Sequence, residues 1–523
     1  MHGWTYFLDQ MHACLHVDEI VRLIACELVS SRGLATAVAF ACCCRSFEDP
    51  ALDGLWEIQN RLNLLLKTLP EDVWDVGERT VSARASHLAS SLNHFIRKCF
   101  RRLPTTLELA RFRKYAQRMR KFRGFAGSLR GITPEVCFVL QHSSFNEPLL
   151  PNLKTFELLS TTAEFAPFIP LFVSPRTTHI DITFTTRDLS KALVASTINT
   201  FSALCPSLQH IGLHSLPRDP MIIKAVSELL LTINRATLRS FDVDSPLTVE
   251  AREVVHKLPD LCKLTVVTEK GTSLRSLILP SLTKLVIVQR GHDRDPLDWS
   301  EMFYGATLGK LETIDFDFEP KKINDLLGAF ERAALAASVQ NTLSEFALNT
   351  TCSWNPKFSS LLSFTQMKNL DIHFSCDDGC SSRVDDDVII NLARAMPKLK
   401  TLLLGDEPCH RIAAGVTAKG LMVLAHYCPN LFSLCIHFHV ASLGAPPTTP
   451  GMTPNAVEPD APRRDCALRN LTVGDTLIPE QSMLMVTMTL VRIFPRIENI
   501  SYVNLAWGRV ANAIRLSKKI LDC

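Results

Sequence analysis

One short pattern of apolar residues, apolar-x-x-apolar-x-apolar, recurs along most of the chain. The steps between its starts range from 21 residues (Leu261 to Leu282) to 37 residues (Leu431 to Leu468). Such a step is typical of folds that grow by stacking one small unit on the next, and 523 residues are too many for one compact core. The thirteen segments begin at Leu153, Thr177, Leu208, Leu238, Leu261, Leu282, Leu311, Leu343, Met367, Leu399, Leu431, Leu468 and Ile497.

Helical patterns separate many of these segments, and several of them end at a proline shortly before the next segment, where the helix cannot continue. The expected helices are 221–233, 323–339, 387–396, 417–427 and 480–494. The whole pattern resembles leucine-rich repeats. We therefore expect an α/β fold in which residues 151–523 form a curved solenoid with parallel strands inside and helices outside. Residues 442–464 hold six prolines and predict an insertion within one repeat.

The residues before the repeats predict three short helices. Ile20, Leu23, Ile24 and Leu28 follow helical spacing after an acidic start. The run 34–43 is almost wholly apolar, which predicts a buried helix that is too short to span a bilayer. A third helix is expected to begin after Pro50.

These helices carry a resemblance to a known family. The order of LHVDEIV (15–21), CCRSF (43–47) and ALDGLW (51–56) resembles an F-box. The likeness to the F-box families of mushroom-forming fungi continues in LLLKTLPEDVW (64–74) and RFRKYAQRMR (111–120). The chain departs from many members at the head of the box, where Val17-Asp18 replaces Leu-Pro or Ile-Pro. That departure predicts a weakened contact of the first helix.

The resemblance implies a function. An F-box docks on the Skp-type adaptor of a cullin-RING ubiquitin ligase, while the repeats hold a protein substrate for ubiquitin transfer. The domains expected are an F-box-like helical domain (11–60), a helical linker or capping region (61–150) and the repeats (151–523). The alternative is a repeat-containing interaction scaffold without a ligase, whose first helices only cap the repeats. The adaptor-binding residues implied are Leu15, Val17, Ile20, Leu23, Ile24, Leu28 and Trp56.

Acidic residues mark one face of the expected sheet. Strand alternation turns the third, fifth and seventh positions of each repeat toward the concave face. Eight acids occupy those positions, against the two bases Lys263 and Lys284. This bias favours a basic segment of a substrate, although the same carboxylates could simply keep an exposed sheet soluble. The substrate-binding residues predicted are Asp242, Asp244, Asp315, Asp317, Glu345 and Asp371.

A basic stretch, 97–130, holds twelve Lys or Arg residues against one acid, Glu108. Phe112, Met119 and Phe122 recur there at helical spacing, so we expect an amphipathic helix with a solvated basic face rather than a nucleic-acid site.

No motif in the sequence indicates catalysis. The chain lacks Gly-x-Ser-x-Gly, His-Glu-x-x-His and a phosphate-binding loop, so we expect no enzyme, no cofactor and no metal. The start of the chain does not resemble a secretory signal, and the seventeen cysteines, Cys42-Cys43-Cys44 among them, are expected to be buried thiols in a reducing compartment. We therefore expect a cytoplasmic or nuclear protein without a membrane segment.

Overall fold

The structure is a computed structural model of the full chain. It describes residues 13–31, 33–78, 96–124, 134–143, 147–161, 165–184, 190–255, 257–268, 278–289, 303, 306, 308–317, 323–351, 358–375, 384–405, 415–443, 466–473, 478–502 and 505–521. Two compact units are present, Met1–Val254 and Val255–Cys523. Most of the predicted Pro-rich insertion, 444–464, lies outside the described residues.

Three helices open the first unit, as the sequence predicts. They are α1 (Asp18–Ser30), α2 (Leu34–Cys43) and α3 (Arg45–Glu57). The third begins before Pro50 rather than after it. Phe47 is buried and its ring stacks on Phe40 of α2 at 4.5 Å, and this contact draws the residues ahead of the proline into the helix.

The second helix is not the buried element that its composition predicts. Ala37 is its one buried residue, while Leu34 and Val38 are exposed. A helix that packs along a single face needs few apolar residues to do so. The apolar residues that α2 does not need for this packing therefore lie on the surface of the described structure.

The rest of the first unit alternates strands with helices. The strands are β1 (Ile58–Gln59), β2 (Trp74–Glu78), β3 (Ile96–Phe100), β4 (Lys121–Gly124), β5 (Thr155–Thr161), β6 (His179–Phe184), β7 (His210–His214) and β8 (Ser240–Val243). Six of them lie parallel in the order β1-β4-β5-β6-β7-β8, and β2 pairs with β3 in the antiparallel direction. The helices are Leu62–Leu66, Thr106–Ala116, Pro134–Ser143, Ile169–Phe172, Lys191–Leu204, Pro220–Thr232 and Val249–Val255.

Two strands of this parallel array, β1 and β4, come before residue 151, and β2, β3 and β4 lie within the 61–150 region that the sequence predicts as a helical linker or capping region. The helix expected to run on through Met119 and Phe122 ends at Ala116. Met119-x-x-Phe122-x-Gly124 is instead a repeat segment with glycine in its last apolar position. A Cβ at Gly124 would lie 2.7 Å from Leu158 Cδ1, which explains why an apolar side chain is missing there.

The second unit continues the same alternation. Nine described strands follow one another in sequence order, and neighbouring strands pair in the parallel direction. They are β9 (Lys263–Thr268), β10 (Lys284–Gln289), β11 (Thr313–Asp317), β12 (Glu345–Thr351), β13 (Asn369–Ser375), β14 (Thr401–Leu404), β15 (Ser433–Ile436), β16 (Asn470–Thr472) and β17 (Asn499–Ser501). The helices are Ile323–Ala336, Asp386–Ala395, Ala418–Tyr427, Val440–Leu443, Met483–Ile493 and Leu505–Leu521.

The predicted repeat register is confirmed in both units. Each of the thirteen strands β5–β17 begins two residues after the predicted start of its segment, and every one of the thirteen starting residues is 0 % exposed. Thr177 fits this buried position because its Oγ1 donates to the carbonyl of Leu153 at 3.0 Å and accepts the N–H of Ser174 at 3.0 Å. A buried hydroxyl with both partners costs little.

Alternation along each strand separates a buried side from an open one. The fourth position of every repeat is buried, and helices cover that side: Phe330 of helix Ile323–Ala336 lies 5.9 Å from Phe316 and 6.1 Å from Phe346, ring centre to ring centre. The third and fifth positions are mostly half-buried or exposed. We call the side that carries the third, fifth and seventh positions the open face of each unit.

A carboxylate links two successive helices of the second unit. Asp386 Oδ1 accepts the N–H groups of Thr417 at 2.8 Å and Gly420 at 3.1 Å, and its Oδ2 accepts the Thr417 hydroxyl at 2.6 Å. Thr417 is the N-cap of helix Ala418–Tyr427 and Gly420 lies in its first turn, where N–H groups have no carbonyl partner within the helix. Asp386 therefore caps the helix of the next repeat.

Gly420→Ala should destabilise the second unit by about 1–2 kcal/mol, the usual cost of a lost helix cap. A Cβ at Gly420 would lie 2.5 Å from Asp386 Oδ1 and displace it from both N–H groups. Gly328→Ala is the matched control, because Gly328 is also helical and its nearest contact would be 3.5 Å away; alanine there should be neutral or stabilising. Urea unfolding measures both, and equal effects of the two substitutions would contradict the capping role.

Candidate interaction surfaces

The first helix divides its apolar residues between two sides. Val21 and Ala25 are buried, while Leu23 is 69 % exposed and Val17 is also exposed. Four further residues of the predicted adaptor surface are half-buried: Leu15, Ile20, Ile24 and Leu28. The exposed and half-buried apolar side chains of α1 make this helix the candidate adaptor surface.

Sequence reasoning missed part of this surface. Leu34 and Val38 of α2 are exposed as well, and α2 packs against α1 and α3. They were missed because a uniformly apolar helix gives no periodicity from which an exposed side can be chosen. We call Val17, Leu23, Leu34 and Val38 the apolar helix surface.

Trp56 has a different position from the other predicted adaptor residues. Its ring lies 4.9 Å from the ring of Tyr115, on helix Thr106–Ala116, and it is half-buried. One edge of Trp56 is therefore used to hold α3 against the rest of the first unit.

Acidic residues of α3 hold basic residues from the stretch 97–130 and also bind Arg22 of α1. Asp49 and Asp53 of α3 both pair with Arg118, a side chain that is largely buried, and Asp53 also lies 2.5 Å from Arg22 of α1. The hydrogen bonds to Asp18 and Asp53 raise the pKa of Arg22 above its usual range. This cluster joins α1, α3 and the segment just before β4.

Further ion pairs reduce the free positive charge of the stretch 97–130, the feature that could have indicated nucleic-acid binding. Arg102 pairs with Asp72 at 2.6 Å and with Glu108 at 2.7 Å, and the Arg102 hydrogen bond lowers the pKa of Glu108 to about 2. Lys114 lies 3.8 Å from Glu48. Bases that are paired within the protein are poorly placed to neutralise phosphates.

The open face of the first unit carries bases and imidazoles as well as acids. Because β4 is a repeat strand, it adds Lys121 and Arg123, and Arg123 Nε lies 3.0 Å from Glu157 Oε2. Three histidines occupy the face on β6 and β7: His179, His210 and His214. Sequence reasoning missed them because it counted only acids, lysines and arginines at these positions.

Asp244, predicted to bind substrate, is buried. Its carboxylate accepts the N–H of Leu216 at 3.0 Å and the N–H of Ser215. Ser215 has a left-handed φ of 57°, so the carboxylate holds a tight turn in place. Asp242, two residues earlier, is half-buried on the open face.

The other four predicted substrate-binding residues lie in the second unit, on β11–β13. Asp315 and Asp371 stand on either side of Ala347 in the strand register. Burial and the like charges of Asp317 and Asp371 raise the pKa of Asp315 above its usual value. The six predicted residues thus divide between two units rather than forming one described site.

Local hydrogen bonds orient the acids of the second unit. Asp317 Oδ1 accepts from Asn349 Nδ2 at 3.0 Å. Glu345 accepts from the Thr313 hydroxyl at 3.2 Å and from Asn369 Nδ2 at 2.9 Å. Both carboxylates are exposed. Neutral donors orient these two side chains without cancelling their charge.

The cysteines follow two patterns. Burial raises the pKa of Cys137, Cys205 and Cys428 to about 12, as expected of inert core thiols. Cys42 and Cys43, however, are exposed, and the prediction that they are buried is wrong. They lie at the end of α2, which packs along one side only.

No group of three or more His, Cys, Asp or Glu side chains able to hold a metal ion occurs among the residues that the structure describes. Within those same ranges, no helix is both long enough and apolar enough to cross a membrane.

Comparison with known proteins gives structural likenesses only. No protein-family model matches the chain, and no curated protein matches it. The fold is similar to a chain in the crystal structure of the Rad7 and Elc1 complex in yeast, with a TM-score of 0.37 and 15 % identity, over 77 % of this chain and 92 % of that one. A TM-score this low does not support a fold assignment, so the fold is assigned from the strand register described above.

Proposed function

We propose that this protein is a non-catalytic substrate receptor of a Skp–cullin–F-box-type ubiquitin ligase. Its helices α1 and α2 bind the Skp-type adaptor, the adaptor joins it to a cullin, and the open faces of its repeats bind a protein substrate. Ubiquitin transfer is the work of its partners, and the protein acts in the cytoplasm, the nucleus or both.

The observation that carries the proposal is the apolar helix surface. Leu23 is 69 % exposed and Val38 is 51 % exposed, on helices whose sequence resembles an F-box. Exposing such side chains in a folded protein costs free energy that a partner recovers by covering them. The cluster formed by Arg118, Asp49 and Asp53 supports a firm connection between these helices and the first repeats.

The alternative is an interaction scaffold in which α1–α3 only cap the repeats. A cap presents a polar outer side, whereas Val17, Leu23, Leu34 and Val38 are exposed here. This difference favours the receptor.

Affinity purification of the tagged full chain from eukaryotic cells tests the proposal. The receptor should bring down a Skp-type adaptor and a cullin in comparable amounts. Repeated recovery of the folded chain without either of them would favour the scaffold.

Within this function, the acids on β11–β13 would bind a basic segment of the substrate. A fluorescein-labelled decalysine peptide is a suitable probe. Asp315→Lys with Asp317→Lys should weaken binding of the peptide at least about tenfold. The salt dependence of binding should also flatten, because the variant makes fewer ionic contacts and its binding releases fewer counterions. Asp325→Lys with Asp387→Lys changes the formal charge equally on exposed helix positions and serves as the control. Equal losses in both variants would leave the open face without a binding role.

A further inference from the structure

We propose that the open face of the first unit is a pH-responsive surface, which binds a basic protein segment while its imidazoles are neutral and releases it when they are protonated. Naming that segment as part of a substrate rests on the proposed function, but the binding itself does not. Three features of β4–β8 carry the inference: a histidine stack, a histidine–aspartate pair and the charges around them.

The histidine stack lies on β6 and β7. His179 and His210 are partners in the strand register, and their rings lie 4.0 Å apart with 13° between their planes. The Thr178 hydroxyl lies 2.7 Å from His179 Nδ1. Two imidazolium ions at this separation would repel each other strongly. The stack is therefore compatible with neutral rings and responds to the arrival of protons.

The histidine–aspartate pair lies directly beside the stack. His214 Nε2 is 3.3 Å from Asp181 Oδ1, across the bare backbone of Gly212. A Cβ at Gly212 would lie 3.0 Å from Asp181 Cγ and 3.1 Å from His214 Nε2. Any side chain at this position would crowd the pair, so glycine keeps the imidazole and the carboxylate in contact.

Charged groups of the neighbouring strands complete the face. Among the described residues, two bases and four acids occupy it in addition to the imidazoles, which gives a formal charge of −2 with neutral histidines and 0 when His214 and one ring of the stack are protonated. These groups are Lys121 and Arg123 on β4, Glu157 on β5, Asp181 on β6, and Asp242 and Asp244 at β8. Acidification thus cancels the net negative charge of the face, and a basic segment bound to it loses the electrostatic attraction that holds it.

Protonation of His214 and protonation of His179 have opposite effects on the free energy of unfolding. The hydrogen bond to Asp181 is the main cause that raises the pKa of His214, so this pair stabilises the fold below about pH 6.5 and the benefit is lost as pH rises through the raised pKa. Burial is the main cause that lowers the pKa of His179. Its contribution is present above about pH 6.5 and is lost as pH falls through the lowered pKa.

Protonation of either ring nevertheless adds positive charge to the same face. Because the effects on unfolding oppose each other while the effects on charge add, acidification changes what the face binds more than it changes whether the unit is folded. This combination suits a binding surface better than an unfolding switch.

Binding of fluorescein-labelled decalysine at pH 7.5 and pH 5.5, at constant ionic strength, tests the inference. The full chain carries Asp315→Asn, Asp317→Asn, Glu345→Gln and Asp371→Asn in every arm, so that the predicted substrate-binding acids of the second unit do not contribute. The dissociation constant should rise at least about tenfold at pH 5.5. His179→Gln with His210→Gln should reduce that ratio below about threefold, while His142→Gln, at an exposed helix position, should leave it unchanged.

Equal affinity at the two pH values would overturn the inference, and so would a pH ratio that survives the double substitution. His210→Gln alone is the second variant, should the double variant fail to fold. This assay does not involve the adaptor. A failure to capture the adaptor would therefore count against the proposed function and not against the pH-responsive face.

Discussion

Leu23→Asp combined with Val38→Asp should abolish capture of a Skp-type adaptor while the protein stays folded. Both side chains are more than half exposed, at 69 % and 51 %, so a carboxylate at either position remains hydrated in the free chain and should change its stability by less than about 0.5 kcal/mol. In the complex the same carboxylates would be buried without partners, which costs several kcal/mol. Co-purification from cells and binding to the isolated adaptor both measure the loss.

Leu107→Asp is the matched control for that pair. Leu107 is 80 % exposed on helix Thr106–Ala116 of the same unit, outside the apolar helix surface, and its substitution should leave adaptor capture intact. If the double variant still captured the adaptor, or if Leu107→Asp abolished capture equally, α1 and α2 would not be the docking surface.

Trp507→Ala should destabilise the end of the second unit by about 3–5 kcal/mol, the range for deleting a large buried aromatic side chain. Trp507 is 0 % exposed, and its ring meets Phe438 edge to face at 5.8 Å. It anchors helix Leu505–Leu521, which follows the last described strand, β17. The helix packs against helix Met483–Ile493 and β17, so its loss would uncover the last described repeat.

Leu505→Ala tests whether that loss is specific to the buried anchor. Leu505 begins the same helix and is 85 % exposed, so its truncation should cost less than about 0.5 kcal/mol. Hydrogen exchange should show faster opening of β16 and β17 in Trp507→Ala alone. Similar stability of the two variants would mean that Trp507 does not anchor this helix.

The repeat strands were predictable from the sequence because a six-residue rule has strong physical causes. The first and fourth positions must be apolar to pack against the helices, and register in a parallel sheet then follows from alternation. Even Thr177, an imperfect start, falls in place because its hydroxyl bonds within the turn. The pairing Ser433↔Asn470 confirms that the pattern resumes across the Pro-rich segment.

The failures have physical causes as well. Strand β4 was missed because Gly124 replaces an apolar residue where Leu158 approaches closely. The exposed side of α2 could not be chosen because a uniformly apolar helix has no periodic signal. Asp244 was assigned to substrate because the pattern gives its side of the strand and not its hydrogen bonds to Ser215 and Leu216.

The histidine face shows a third kind of limit. His179, His210 and His214 occupy third and seventh positions that could be read from the repeat register. Their stacking and the pairing with Asp181 depend on neighbours from different repeats, at separations of 31 and 33 residues in the chain. A repeat pattern predicts which residues share a face, whereas their contacts depend on the three-dimensional register.

Mixing the purified full chain with a purified Skp-type adaptor tests the central claim most directly. Light scattering should find a one-to-one complex, and hydrogen exchange should slow in residues 17–43, which hold the apolar helix surface, more than in any of the repeats. Absence of a complex between two folded proteins, or protection confined to the repeats, would contradict the assignment of this chain as a ligase receptor.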